Sequence, residues 1–86
     1  MAVLLMVDRS EPGPRAEPRI SAMLWTAEKD PWLLDAQQFR SESELRKWLG
    51  EVAATYKNIG VRWTDKLKAE KALAAAIVEC LGLTFQ

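Results

Sequence analysis

The spacing of apolar residues changes character near residue 40. Before it, apolar positions come in short runs or alternate with polar ones, as strands require; after it, they recur at three-and-four spacing, as amphipathic helices require. Ala2-Val3-Leu4-Leu5-Met6-Val7 is rich in branched residues and closes on Asp8 and Arg9, which reads as a first strand over about 2–8, buried on both faces. Pro12, Pro14 and Pro18 then remove backbone donors and restrict their neighbours, so 9–18 reads as a long exposed proline-rich loop. A second strand follows over about 19–26, with Ile20, Ala22 and Leu24 on one face and Met23 and Trp25 on the other.

Glu28-Lys29-Asp30-Pro31 is read as a hairpin turn leading into a third strand over about 32–39, from Trp32 to Phe39. Asp30 before Pro31 is also a helix-start signature, and a short helix is the alternative for 31–39.

Ser41-Glu42-Ser43-Glu44 is a capping box: the Ser41 hydroxyl accepts from the amide of Glu44, and that carboxylate reaches back. A helix over about 42–57 follows, with Leu45, Trp48, Leu49, Val52, Ala53 and Tyr56 as its apolar stripe and Trp48 as the anchor to the sheet. Asn58 and Gly60 are residues that end helices in left-handed conformations, and 59–63 is then an extended link or an edge strand. Thr64 or Asp65 caps a second helix over about 65–81, with Leu67, Leu73, Ala74, Ile77, Cys80 and Leu81 inward and Gly82 as its stop; Phe85 beyond it is expected to dock on the core. The fold class is therefore α+β: one domain over 1–86, in the order β-β-β-α-α, with a small antiparallel sheet of about three strands packed by two C-terminal helices.

Composition narrows the chemistry. Twelve basic residues balance twelve acidic ones, so no whole-molecule field steers the chain to nucleic acid or an anionic membrane. The apolar run 2–7 is too short to span a membrane and carries neither a basic start nor a cleavage signature, and the single Cys80 makes no internal disulfide; a cytoplasmic protein with no membrane contact is the expectation. With no histidine, acid–base work would fall to carboxylates, lysines, the tyrosine or the thiol. Asp30 reads as a turn residue, and Glu42 and Glu44 as residues complementing a helix dipole. Neither a phosphate-binding glycine loop nor zinc or calcium ligand spacing occurs, so no catalytic residue, cofactor or metal is nominated.

Four tryptophans remain the best lead. Trp25 and Trp32 flank the hairpin turn, and Trp63 lies in a stretch where Lys57, Arg62, Lys66, Lys68 and Lys71 outnumber Asp65 and Glu70. The reading that follows is a non-enzymatic protein-binding module, an inhibitor, adaptor or immunity-type protein of the kind phages and mobile elements carry, with Trp25, Trp32, Arg62, Trp63, Lys66, Lys68 and Lys71 as partner-binding residues. A nucleic-acid-binding module built on the basic segment 57–71 is the alternative. The over-apolar end of the 65–81 helix, through Ile77, Val78 and Leu81, also suits a homodimer.

Overall fold

A computed structural model of the chain describes residues 2–10, 14 and 19–82. Its elements are β1 (Ala2–Ser10), β2 (Arg19–Thr26), β3 (Leu33–Phe39), α1 (Glu42–Thr55), β4 (Asn58–Val61), α2 (Asp65–Ala69) and α3 (Lys71–Leu81). The fold is α+β, with a four-stranded mixed sheet in the order β3-β2-β1-β4. β1 pairs antiparallel with β2, and β2 with β3, whereas β4 lies parallel to β1. Parallel strands need a crossover. Here α1 makes it, carrying the chain from the β3 edge to the β4 edge across one face of the sheet.

That crossover decides which side chains are buried. Val3, Leu5 and Val7 of β1, and Ile20, Ala22 and Leu24 of β2, lie under the helices and are almost entirely removed from solvent. They meet Leu45, Trp48, Leu49 and Val52 of α1, Leu67 of α2, and Leu73, Ala76 and Ile77 of α3. Each such large aliphatic side chain contributes about 1.5–3 kcal/mol over leaving it exposed. Trp48 anchors α1 as its place on the apolar stripe implied: its ring sits 5.7 Å from Phe39, and its indole N–H donates to Asp35 Oδ2 at 3.2 Å.

The capping box forms, with a shifted return. Ser41 Oγ accepts from the Glu44 amide at 3.4 Å, but the Glu44 carboxylate accepts from the amide of Arg40, one residue before the cap, at 2.8 Å. Thr64 caps α2 through its hydroxyl, which accepts from the Leu67 amide at 3.1 Å. Gly82 ends α3 in the left-handed region at φ 67°, where a residue without Cβ meets little strain.

Several sequence expectations are corrected. β1 is covered on one face, not two: Leu4 and Met6 alternate with its buried residues and stay half-exposed. It also runs to Ser10, so the loop expected over 9–18 begins later; Pro14 is an exposed turn residue, and the rest of that loop lies outside the described residues, as does Phe85. Trp32 precedes β3 instead of opening it. α1 stops at Thr55, leaving Ala53 exposed and Tyr56 half-buried as an extended C-cap; no left-handed residue ends it, because Asn58 and Gly60 are used as β4. This fourth strand resolves the open choice at 59–63.

The single helix expected over 65–81 is two. Glu70 leaves helical geometry at φ −84°, ψ 79°, and its carboxylate pairs with Arg9 Nε of β1 at 3.3 Å. Lys66 completes a second link to the end of β1, donating to the Arg9 carbonyl at 3.0 Å and pairing with Asp8 at 3.3 Å. The break orients α2 across the strand end while α3 packs against α1.

Candidate functional site

With all helices on one side, the other side of the sheet has no layer over it among the described residues. Strand register arranges its side chains in three rows. Leu33, Trp25 and Leu4 line up with Gly60 at one end. Ala36, Met23 and Met6 form the middle row, and Arg62 extends it, because the Arg62 amide donates to the Leu5 carbonyl at 3.0 Å and so carries the β1–β4 ladder one residue further. Gln38, Ser21 and Asp8 make the third. Successive rows are about 6.6 Å apart along the strands. The face therefore grades from aromatic and aliphatic, through thioether, to polar and charged.

The apolar end continues onto the β2–β3 connection. Trp32 is 71% exposed, Leu33 49% and Leu34 37%, the largest exposures of any bulky apolar side chains described. Trp32 is nonetheless held: its amide donates to Thr26 Oγ1 at 2.9 Å, and its carbonyl accepts from the Thr26 amide at 2.9 Å. Thr26, buried at the end of β2, thus spends its hydroxyl on fixing the tryptophan's backbone. A register shift between Leu24 and Trp25 leaves Leu34 as the extra residue of a bulge, which turns it outward beside Leu33.

Trp25 is the most informative side chain here. Its indole Nε1 is buried, yet it has no hydrogen-bond partner, an arrangement that is rare because the donor loses its water without compensation. The ring itself remains partly exposed on the uncovered face, between Leu4 and Leu33.

At the other end of the face, Met6, Val7, Asp8, Ser21, Met23, Arg62, Thr64 and Lys66 line a cavity of about 280 Å³. Its floor is thioether and aliphatic, and its rim carries two cations against one carboxylate. Lys66 is already engaged with Asp8 and the Arg9 carbonyl, whereas Arg62 makes no ion pair with any described residue. The rim thus presents one uncompensated guanidinium.

The β3 edge of the sheet is partly blunted. Asp35 Oδ1 accepts from the amide of Ala36 at 2.9 Å and from Gln37 Nε2 at 3.0 Å, while its other oxygen takes the Trp48 indole. Asp35 thereby satisfies one strand amide and locks α1 to β3. A carboxylate spent on the amide in the middle of an edge strand disfavours pairing of another strand there.

The nominated residues separate into distinct places. Trp25 and Trp32 share the apolar end; Arg62 and Lys66 share the cavity at the far end of the same face; Lys68 and Lys71 lie elsewhere, on the outer surface of α2 and α3 with Ala74, Ala75, Val78 and Glu79. Lys57 is exposed just before β4. Trp63 is packed against the core and only half-exposed. Leu4, Met6, Met23, Leu33 and Leu34 were not nominated, although the alternation of β2 already placed Met23 beside Trp25. Reading β1 as buried on both faces concealed Leu4 and Met6.

Electrostatics elsewhere are structural. Arg46 of α1 donates to Glu42 at 2.9 Å and to Glu79 of α3 at 2.7 Å, and these two carboxylates raise its pKa further above the ordinary arginine value, so it stays charged at every accessible pH. Among the described residues no group of three or more potential ligands is placed to hold a metal ion, and no helix is long and apolar enough to cross a membrane. Cys80 is a free, half-buried thiol beside the core. Comparison of the chain with protein-family models, with curated proteins and with solved structures finds no match.

Proposed function

We propose that this protein is a small non-enzymatic binding module that docks a partner protein on the uncovered face of its sheet. The observation that carries the reading is continuity: Leu4, Met6, Met23, Trp25, Leu33 and Trp32 form one apolar tract from the sheet centre to the β2–β3 tip. Contiguous exposed apolar surface with aromatic and methionine side chains is the usual composition of an interface core, and methionine adapts to the shape it meets. Arg62 at the end of the middle row favours a partner whose apolar segment carries an acidic side chain. An inhibitor or adaptor role in the cytoplasm fits such a module, since neither role needs catalytic residues.

The nucleic-acid alternative draws less support from the arrangement. Stacking and phosphate binding work together when aromatic faces and cations line one groove. Here Lys68 and Lys71 lie on a different surface from Arg62 and Lys66, and the Trp63 ring is packed against the core.

The test is affinity capture from host lysate with and without nuclease, using the native chain, Met23→Glu on the uncovered face, and Lys47→Glu on the solvent side of α1. The expected result is a stoichiometric protein, insensitive to nuclease, captured by the native chain and Lys47→Glu but not by Met23→Glu, with all three showing the same circular dichroism. Equal capture by Met23→Glu overturns the assignment of the face. Capture abolished by nuclease transfers the function to the basic alternative.

A further inference from the structure

The outward side of α3 differs from that of α1. On α1 the exposed positions include Glu44, Lys47 and Glu51. On α3 they are Lys71, Ala72, Ala75 and Glu79, with Val78 half-buried beside them. A shallow depression of about 400 Å³ lies along this side, its apolar lining formed by Ala74, Ala75 and Val78. Its two charges on α3 have opposite sign, and each stands four residues from Ala75. Lys71 makes no ion pair with any described residue.

That spacing is self-complementary. In an antiparallel helix pair related by a twofold axis, the residue k positions before the axis on one helix meets the residue k positions after it on the other. We propose that α3 pairs antiparallel with α3 of a second copy of this chain about an axis at Ala75. Lys71 of each copy then faces Glu79 of the other, Ala72 faces Val78, and the two Ala75 side chains meet at the centre, small enough for the helices to approach closely. The partner's Lys71 supplies Glu79 with a second cation beside its existing Arg46. The opposite register, parallel, sets Lys71 against Lys71 and Glu79 against Glu79 and is disfavoured by like-charge repulsion.

The sequence assigns this role to Ile77, Val78 and Leu81. Ile77 is wholly buried in the core and is not available; Val78 belongs to the proposed seam. A helix of this length buries less than the roughly 800 Å² per partner of a standard interface, so the association is weak and salt-sensitive. Because α3 lies on the helical layer, a dimer formed through it leaves both uncovered sheet faces outward, and a partner with two sites would be bound with an enhanced effective concentration. The dimer does not depend on that binding.

Sedimentation equilibrium of the native chain, at concentrations up to about 1 mM and low salt as a weak interface requires, is expected to give a mass rising from 9.7 kDa toward twice that value. Lys71→Glu and Glu79→Lys, each placing two like-charge contacts in the dimer, are expected to weaken it about tenfold or more. The double variant restores opposite charges and is expected to recover dimerisation at low salt. A second, charge-independent readout is Ala75→Cys in a Cys80→Ser background, expected to form a disulfide-linked dimer on mild oxidation. A native chain that stays at 9.7 kDa, a double variant as weak as the singles, or an Ala75→Cys variant whose new thiol stays reduced overturns the proposal.

Discussion

Met23 and Leu24 are adjacent in β2 and differ little in volume or hydrophobicity, yet one lies on the uncovered face and the other is 1% exposed beneath the helices. The covered face is built from Val, Leu, Ile and Ala with Phe39, whose shapes interlock under α1 and α3 with little residual freedom. The uncovered face carries two methionines, a tryptophan with an unpartnered N–H, and leucines left partly in water. A face that only had to tolerate water would gain nothing from these residues, because polar side chains alternate with a buried row equally well. The contrast separates apolar residues that the helical layer buries from apolar residues that the fold leaves available at the surface.

The largest effect expected from breaking this contrast is in stability. Leu24→Ala removes a fully buried side chain and should cost about 2–5 kcal/mol, whereas Met23→Ala, one position along, should cost less than about 1.5 kcal/mol because its site is already partly solvated. Urea unfolding of the two variants at low protein concentration checks the pair. Equal costs would mean that the second face is covered in solution and that the two faces are alike after all.

How much of the contrast was visible beforehand depended on how local its causes were. The alternation of Ile20, Ala22 and Leu24 against Met23 and Trp25, the capping box at Ser41, the anchoring by Trp48 and the stop at Gly82 each follow from a few neighbouring residues, and the structure has them in place. β4 does not follow in this way: Asn58-Ile59-Gly60-Val61 becomes a strand because β1 lies alongside it, a partner more than fifty positions away in sequence. The break between α2 and α3 has no proline or glycine to announce it, and Glu70 at the break is bound to Arg9 across the fold. The same cause hid part of the candidate site. Residues 57–71 look like one basic cluster along the chain, but the turn after β4 places Arg62 by the end of the sheet, and the helical turn of α2 sets Lys66 beside it while Lys68 falls on another side with Lys71. Leu34 gave no signal because the bulge that turns it outward beside Leu33 depends on the register of β3 with β2.

A smaller effect tests what holds the two faces in their roles. Asp35 joins α1 to β3 by accepting from Trp48 Nε1 while it also takes the Ala36 amide and Gln37 Nε2, so Asp35→Ala leaves three donors without their acceptor; the half-buried Trp48 N–H is the costly one, and the change should cost about 1–3 kcal/mol. Asp35→Asn keeps one oxygen and should cost less. Denaturation read through tryptophan fluorescence reports both the cost and the changed surroundings of the indole. If Asp35→Ala matches the native chain, the helical layer is held by apolar packing alone and the carboxylate serves only the strand edge.

The smallest expected change carries the sharpest distinction, because its sign differs between stability and binding. Trp25→Phe keeps an aromatic ring between Leu4 and Leu33 but removes the buried N–H that has no acceptor. An unsatisfied donor is a cost borne by the folded state, on the order of 1 kcal/mol or more, and this is offset by the loss of some buried ring area. The isolated domain should therefore be as stable as the native chain or slightly more so, by up to about 1 kcal/mol, which for a domain of this size is a melting shift of roughly 4–8 °C. Binding should move the other way. The indole ring is part of the exposed apolar tract, and the smaller phenyl ring presents less contact area, so the captured protein is retained less well even though the buried N–H itself reaches no partner. A residue selected for packing would show the reverse pattern, losing stability on substitution and leaving binding untouched, and that outcome would move Trp25 from the contact face of the comparison to its structural one.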